Sequence, residues 1–421
     1  MKKKYFIDLF SGCGGLSLGA LKSGFTGLFA LEYQPNAFDT FKHNILEKDL
    51  SQFGMKNFEW PEELEKKNFD ISSFIKDNHQ LLLSYKNKVD LIVGGPPCQG
   101  FSNMGKRKKL DPRNQLYKSY LDIVDIVKPK MILIENVSGI AAKFNNKGKA
   151  FSDSIIKNLS KDYHIKGELI NSNLFGVPQN RRRYIIIGVL KNNNNKININ
   201  DIFNEISNSS KSFTENYKVG NRSFNLSNVN SIDALSDLDG SGLNSLNFQD
   251  ENASQKRFFK TFKYKNPSTD YQKLLRLSCD DNLQIDSHRI GNHFPDKINM
   301  FRGLIKISKE KKPFSANKFS PEEFLSAGWT SKKIIIHVIR ENEKSPTLTT
   351  CPYDYIHYSS PRILTVREFA RLQSFPDWFE FKGIYATSGS LSYTAPRYTQ
   401  IGNSVPPLMA EGILSVLKKI I

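Results

Sequence analysis

KYFIDLFSGCGGLSLG (residues 4–19) runs from a short apolar stretch into a glycine-rich turn and then into residues at helical spacing. A strand that ends in such a turn and feeds a helix is how a doubly wound sheet begins. Four further apolar runs follow: GLFALE (27–32), VDLIVGG (89–95), KMILIEN (130–136) and RYIIIGVL (183–190). Between them lie helical patterns such as NQLYKSYLDIVDIVK (114–128). Strand, helix, strand repetition predicts an α/β fold, a doubly wound and mostly parallel sheet covered on both faces.

The composition changes after Leu190. KNNNNKININDIFNEISNSS (191–210) reads as a linker or a biased insertion. From there to about residue 360 the chain is polar with weak periodicity, as expected of a second, smaller and irregular domain. RILTVREFARLQSFPDW (362–378) predicts a helix that Thr365 caps, that runs to Ser374 and that Pro376 stops. YTQIGNSVPPLMAEGILSVLKKII (398–421) ends in an amphipathic helix expected to return to the first sheet. The expected division is 1–190 completed by 398–421, then 191–361, with 362–397 as a hinge between the two.

The chain has 421 residues and a formal charge of +18, which suggests a polyanionic partner, nucleic acid being the usual one. Its four cysteines, Cys13, Cys98, Cys279 and Cys351, include no CxxC pair, so neither a zinc ribbon nor a disulfide framework is indicated. The start MKKKYFIDLF is not a signal peptide and no stretch is long enough to span a membrane; a reducing cytoplasm is the expected home. His288 and His293 lack partner cysteines and read as packing or DNA-contacting residues rather than metal ligands. Trp60, Trp329 and Trp378 read as packing residues.

Two constellations carry chemistry. In the first, Gly12, Gly14 and Gly15 allow a tight turn that a ligand can approach closely. Glu32 ends the second strand, where an acid can accept both ribose hydroxyls of a nucleoside. Asp70, after a further apparent strand, is placed to accept from an adenine amino group. The turn lacks the spaced G-x-G-x-x-G of a dinucleotide site. In the second, GGPPCQGFS (94–102) puts Cys98 behind two prolines at a strand's carboxyl end, where open α/β sheets bind ligands. Thiols are good nucleophiles, and fixed backbone limits the entropy lost in aligning one. Glu135 follows four apolar residues, an expensive place for a charge unless it is used or paired. In QNRRRYIII (179–187), alternation puts Arg181 and Arg183 on one face and Arg182 on the other. A thiol, a carboxyl and paired guanidiniums could attack an electron-poor ring carbon, protonate a ring nitrogen and hold a ring carbonyl.

These motifs, in this order, resemble the DNA cytosine-C5 methyltransferases of prokaryotic modification systems. DLFSGCGG, GGPPCQGFS, ENV, QNRRR, RxLTxREFARLQSFP and IGNSVPP carry the resemblance at both ends of the chain. It implies an S-adenosylmethionine-dependent, Rossmann-like methyltransferase that flips one cytosine out of duplex DNA, with the unmatched middle as target-recognition segment. It also implies a cofactor set of Phe10, Gly12, Gly14, Glu32, Tyr33, Asp70, Ile71, Pro97, Leu116, Asn403 and Ser404, with Asn403 bracing the two domains. Cys98 would add to C6, Glu135 would protonate N3, Arg183 would hold O2, and Arg181 would support the loop and the phosphates, with no metal needed. Gln99, Ser102, Lys106, Arg107, Lys108 and Lys109 match a mobile loop that meets the DNA backbone. A companion endonuclease acting separately would fit, and a monomer suffices to flip one base.

The competing reading is an RNA cytosine methyltransferase on a similar scaffold. Its tRNA-methylating relatives have a short recognition segment and a CFT tripeptide; this chain has neither. A non-catalytic regulator would tend to lose the nucleophile, and an oxidoreductase fails at the glycine spacing.

Overall fold

A computed structural model of the chain describes residues 2–97, 116–142, 150–191, 198–239, 246–249, 258–261, 263–279, 285–311, 319–329, 336–385 and 395–421, with backbone alone at 246–249 and 258–260. Seven strands belong to the first part: β1 (Tyr5–Leu9), β2 (Thr26–Leu31), β3 (Leu91–Gly94), β4 (Met131–Val137), β5 (Tyr163–Asn171), the two-residue β6 (Gln179–Asn180) and β7 (Arg182–Leu190). All but β6 form one sheet in the order β2-β1-β3-β4-β7-β5. β1 to β4 pair in parallel, while β7 runs antiparallel to both β4 and β5. The expected mostly parallel sheet is therefore observed, with β7 as its reversed strand.

Its helices are α1 (Gly15–Lys22), α2 (Pro35–Phe41), α3 (Ile71–Asp77), α4 (His79–Ser84), α5 (Leu116–Val127) and α6 (Phe151–Leu159). Farther on come α7 (Ile199–Glu215), α8 (Ser231–Leu235), α9 (Asp270–Leu275), α10 (Pro295–Glu310), α11 (Pro321–Ser326), α12 (Val366–Leu372), α13 (Arg397–Asn403) and α14 (Pro407–Ile420). Alternation along the strands splits the core in two. Phe6, Leu91, Val93, Leu133, Ile185 and Ile187 pack with Leu18 and Leu21 of α1 and Ile413 and Leu417 of α14. Ile7, Ile92, Ile132, Ile134 and Ile186 pack with Phe74 of α3, Ile123 and Val124 of α5 and Ile155 of α6. The last helix thus returns to the sheet as expected. It seats closely on α1, where a Cβ on Gly19 would lie 2.3 Å from that of Ala410.

Two expectations are corrected and one strand was not foreseen. No strand precedes Asp70, which instead caps α3 by accepting from the Ser73 amide at 2.9 Å. β5 escapes a reading by periodicity because Lys166 and Glu168 interrupt its apolar residues and most of it is half-buried. In the asparagine-rich stretch the described residues 198–210 are no linker: Asn198 caps α7, whose Ile202, Phe203 and Ile206 are buried in the core beside α14. Its apolar residues at i, i+1 and i+4 make one helical face, which the surrounding asparagines obscure.

The middle of the chain adds the short strands β8 (Tyr217–Val219), β9 (Arg222–Phe224), β10 (Leu246–Gln249), β11 (Phe258–Thr261), β12 (His337–Val338), β13 (Ser345–Pro346) and β14 (Tyr355–Ile356). A separate small core gathers Phe301, Leu304, Phe324, Trp329 and Ile356. β13 pairs in parallel with β6 as a separate two-stranded sheet, bringing the end of this region beside the start of β7. α12 fastens it from the other side: its fully buried Arg371 bonds Asp237 at 3.0 Å and Asp377 at 2.6 Å. Among the described residues, no helix is long and apolar enough to cross a membrane.

Candidate active site

The carboxyl ends of β1, β3 and β4 and the start of β7 meet at one edge of the sheet. Gly94 lies opposite Leu9 and Ile134, and Val137 opposite Arg183. Glu135 and Arg183 are diagonal neighbours across β4 and β7 and share a face. Glu135 Oε1 stands 2.8 Å from Arg183 Nε, and both residues are more than nine-tenths buried. Burial lowers the Arg183 guanidinium pKa, while the Glu135 charge opposes that fall. The costly carboxylate after four apolar residues is therefore paired.

The loop after β3 is held against this pair. Asn136 donates from Nδ2 to the Pro96 carbonyl at 2.9 Å. A Cβ on Gly95 would come within 3.2 Å of Glu135 Oε2, so the acid lies directly over the loop. Pro97 is the last described residue before the nucleophile candidate. Cys98 itself, with Gln99, Ser102, Lys106, Arg107, Lys108 and Lys109, lies outside the described residues. Asn136 was missed in the sequence reading, although a second polar residue straight after Glu135 on a buried strand was a signal.

Arg181 behaves differently from its neighbour. It has no exposed surface, and it donates to the carbonyls of Leu348 at 3.0 Å, Gly402 at 2.8 Å and Ser404 at 2.9 Å. Burial pulls its pKa well below the ordinary guanidinium value. The expected support of phosphates is thus corrected to a buried clasp between the sheet and two later segments. Gln179 extends the clasp, donating to Leu372 O and accepting from the Leu348 amide at 2.9 Å. Asn403 was expected to brace the domains, but its side chain is exposed and the carbonyls on either side of it take that role.

The residues expected at a nucleoside site gather around the first turn. Phe10, Gly12 and Gly14 all have positive φ, of 64°, 56° and 100°. Such a turn suits glycine, and Phe10 is held in it at a cost of about 1–3 kcal/mol. A Cβ on Gly12 would meet nothing within 4 Å, which leaves room for a ligand against the backbone. Glu32 Oε2 accepts from the Gly12 amide at 2.8 Å and Oε1 from the Gln34 amide at 2.6 Å. Burial raises its pKa. Tyr33 stands 61% exposed beside it. Two bonds draw the next segment alongside, from the Phe69 amide to Glu32 O and from Asn68 to Tyr33 O, and so bring up Asp70 and Ile71. Leu116 opens α5, which a Ser72–Ser119 contact of 3.3 Å joins to α3. Ser404 lies on the other side, where its Oγ would be 2.2 Å from a Cβ on Gly15.

Beneath the turn lies a group that the sequence did not announce. Asp8 is fully buried, accepts from Ser17 Oγ at 2.6 Å, and burial pushes its pKa up to about 7. Burial likewise pushes the Cys13 thiol up to about 12, which fits a filler rather than a nucleophile. His288 is a packed core residue, with Nδ1 2.9 Å from Thr365 Oγ1 and Nε2 3.1 Å from Leu238 O. Trp329 packs in the small core, and Trp378 stacks on Phe53 at 4.0 Å.

Comparison with known proteins identifies the family. The sequence profile of the C-5 cytosine-specific DNA methylases matches residues 5–419. A type II methyltransferase of Haemophilus parahaemolyticus, M1.HphI, is 28% identical over 417 residues, 98% of this chain and 86% of its own. Another, M.DdeI of Desulfomicrobium norvegicum, is 27% identical over 427 residues, 97% of this chain and 86% of its own. A solved structure described as a DNA modification methyltransferase from an E. coli prophage superposes with a TM-score of 0.61 at 28% identity, covering 99% of both chains.

Proposed function

The chain belongs to the C-5 cytosine-specific DNA methylase family and is a DNA (cytosine-5-)-methyltransferase, and we propose that it works by covalent addition of Cys98 to the target base. The observation that carries this reading is the buried Glu135–Arg183 pair at 2.8 Å, seated over the loop that leads into Cys98. A cytosine flipped out of the duplex would place its N3 and O2 edge on this pair. The Cys98 thiolate bonds to C6 as the C5–C6 double bond opens. Glu135 gives a hydrogen bond and a proton to N3, so that negative charge does not build on the ring, and Arg183 holds O2. The enamine-like C5 would then take up the methyl group; loss of the C5 proton to a base, with the N3 proton returned to Glu135, re-forms the C5–C6 double bond and expels Cys98 as thiolate.

The open turn at Gly12, the Glu32 carboxylate and the exposed Tyr33 ring suit S-adenosylmethionine, which would supply the electrophilic methyl group. Phe10, Gly12 and Gly14 would hold its amino-acid end, Glu32 the ribose, and Tyr33, Asp70, Ile71 and Leu116 the adenine, with Pro97, Asn403 and Ser404 along the wall. Residues 1–190 with 398–421 would form the catalytic unit, on which α7 also packs, the rest of 191–361 the target-recognition unit and 362–397 the hinge. Gln99, Ser102 and residues 106–109 would meet the DNA backbone. The enzyme would serve as the modification half of a restriction-modification system.

Duplex DNA with 5-fluorocytosine at random cytosines, plus S-adenosylmethionine, tests the reading. Fluorine cannot leave as a proton does, so a denaturation-resistant adduct should accumulate and vanish in Cys98→Ala. An adduct on RNA but not on DNA would overturn the DNA reading. No adduct on either would remove Cys98 from the mechanism.

A further inference from the structure

Beside the Glu135–Arg183 pair lies a cavity of about 530 Å³ lined by Ser138, Asn171, Asn180, Arg182, Arg183 and Thr347. None of these except Arg183 has a part in the proposed reaction. Its place follows from register. Asn171 and Arg182 are direct cross-strand partners on β5 and β7, so their side chains share one face. Asn180 lies two residues before Arg182 and falls on that face too. Ser138 follows the last residue of β4, and Thr347 arrives from the middle of the chain, donating to the Asn180 carbonyl at 2.7 Å.

The chemistry of the lining is one-sided. Among the described residues it holds two arginines and no carboxylate. Both asparagines have their side-chain oxygens engaged with Asn173: Asn180 Oδ1 accepts from its amide nitrogen at 2.9 Å, and Asn171 Oδ1 from its backbone N–H at 3.5 Å. That leaves their NH₂ groups as donors. Arg182 is exposed, in contrast to the buried Arg181 and Arg183. A polar cavity of donors and cations, without acids, selects an oxyanion.

Resting on the reading above, we propose that this cavity binds a backbone phosphate of the substrate duplex next to the flipped base. Arg182 is its charged anchor, and Asn171 and Asn180 are its neutral donors. Because Thr347 belongs to the middle region and Arg182 to the sheet, a phosphate seated here ties target recognition to the reacting end.

The test measures affinity for sheared duplex DNA of mixed sequence as a function of salt, since phosphate contacts carry no sequence information. Arg182→Ala should raise Kd about tenfold and reduce the slope of log Kd against log salt by about one. Arg182→Lys should restore the slope. Asn180→Asp, which puts a negative charge among the donors, should weaken binding further. A wild-type slope in Arg182→Ala overturns the proposal, whether Kd changes or not. Tritiated methyl transfer from S-adenosylmethionine to the same DNA by the unaltered enzyme is read separately. Its absence would count against the catalytic reading, while the slope still decides the phosphate site.

Discussion

At the scale of single residues, two arginines that look alike in QNRRR do different work. Arg183 faces a carboxylate at the reacting edge, whereas Arg181 satisfies three buried carbonyls. Arg181→Met should strip those carbonyls of their donors, each worth about 1–3 kcal/mol when left unpaired. We expect a loss of at least about 3 kcal/mol in urea unfolding; an unchanged midpoint would show that water replaces the guanidinium. Glu135→Gln keeps the size of the side chain but cannot deliver a proton, so kcat should fall by about a hundredfold or more with cofactor affinity intact. Asn136→Ala frees the Pro96 carbonyl and with it the backbone before Cys98. The carbonyl left unpaired should cost about 1–3 kcal/mol of stability, and kcat measured well below the melting temperature should drop about tenfold or more, because the reacting group is misplaced even where the fold holds.

Among the elements, α12 and the first glycine turn make the sharpest cases. Thr365 was legible as a cap, and it forms a full capping box with Glu368. Pattern could not show that the same hydroxyl also meets His288 across 77 residues. Thr365→Ala should therefore cost more than an ordinary cap, about 2 kcal/mol, with most of it regained in Thr365→Ser. In the turn, the requirement at Gly15 is space. A Cβ there would meet Ser404 Oγ at 2.2 Å and Val405 O at 2.3 Å. Gly15→Ala should push the turn off the 404–405 segment and weaken S-adenosylmethionine binding about tenfold, read by calorimetry. The glycine was visible in the sequence, but the segment it must clear lies nearly four hundred residues away.

For the whole molecule, buried titratable groups set how stability follows pH. Burial lowers His288 from the ordinary 6.5 to about 4, with the Glu368 charge opposing. The folded state thus prefers the neutral ring. That share of stability is complete above pH 6.5 and is lost as pH falls from 6.5 towards 4. At pH 5 the loss from His288 amounts to about 2 kcal/mol. Burial lowers His357 to about 3, with the Arg362 charge adding and the Glu368 charge opposing, and it acts in the same direction. Asp8, raised to about 7, acts in the opposite one: its share is full below 3.8 and is lost as pH rises through 7. Urea midpoints at pH 7 and pH 5 should show a smaller fall in His288→Gln than in wild type. Equal falls would mean that the ring is not held neutral.

The sequence by itself determined β1 to β4 and β7 in their order, the glycine turn, the placing of Glu135 and Arg183 on β4 and β7 and the cap of α12. Each of these is local, set by period-two burial, φ requirements or a four-residue box, and each can be read without knowing what lies opposite. Only the tertiary structure decided the partners: that Arg181 is a clasp, that Asp70 caps a helix, that α7 belongs to the core, and that Asn171, Asn180 and Arg182 share a cavity with Thr347. Those facts depend on cross-strand register and on segments brought together over long separations, which no local pattern encodes.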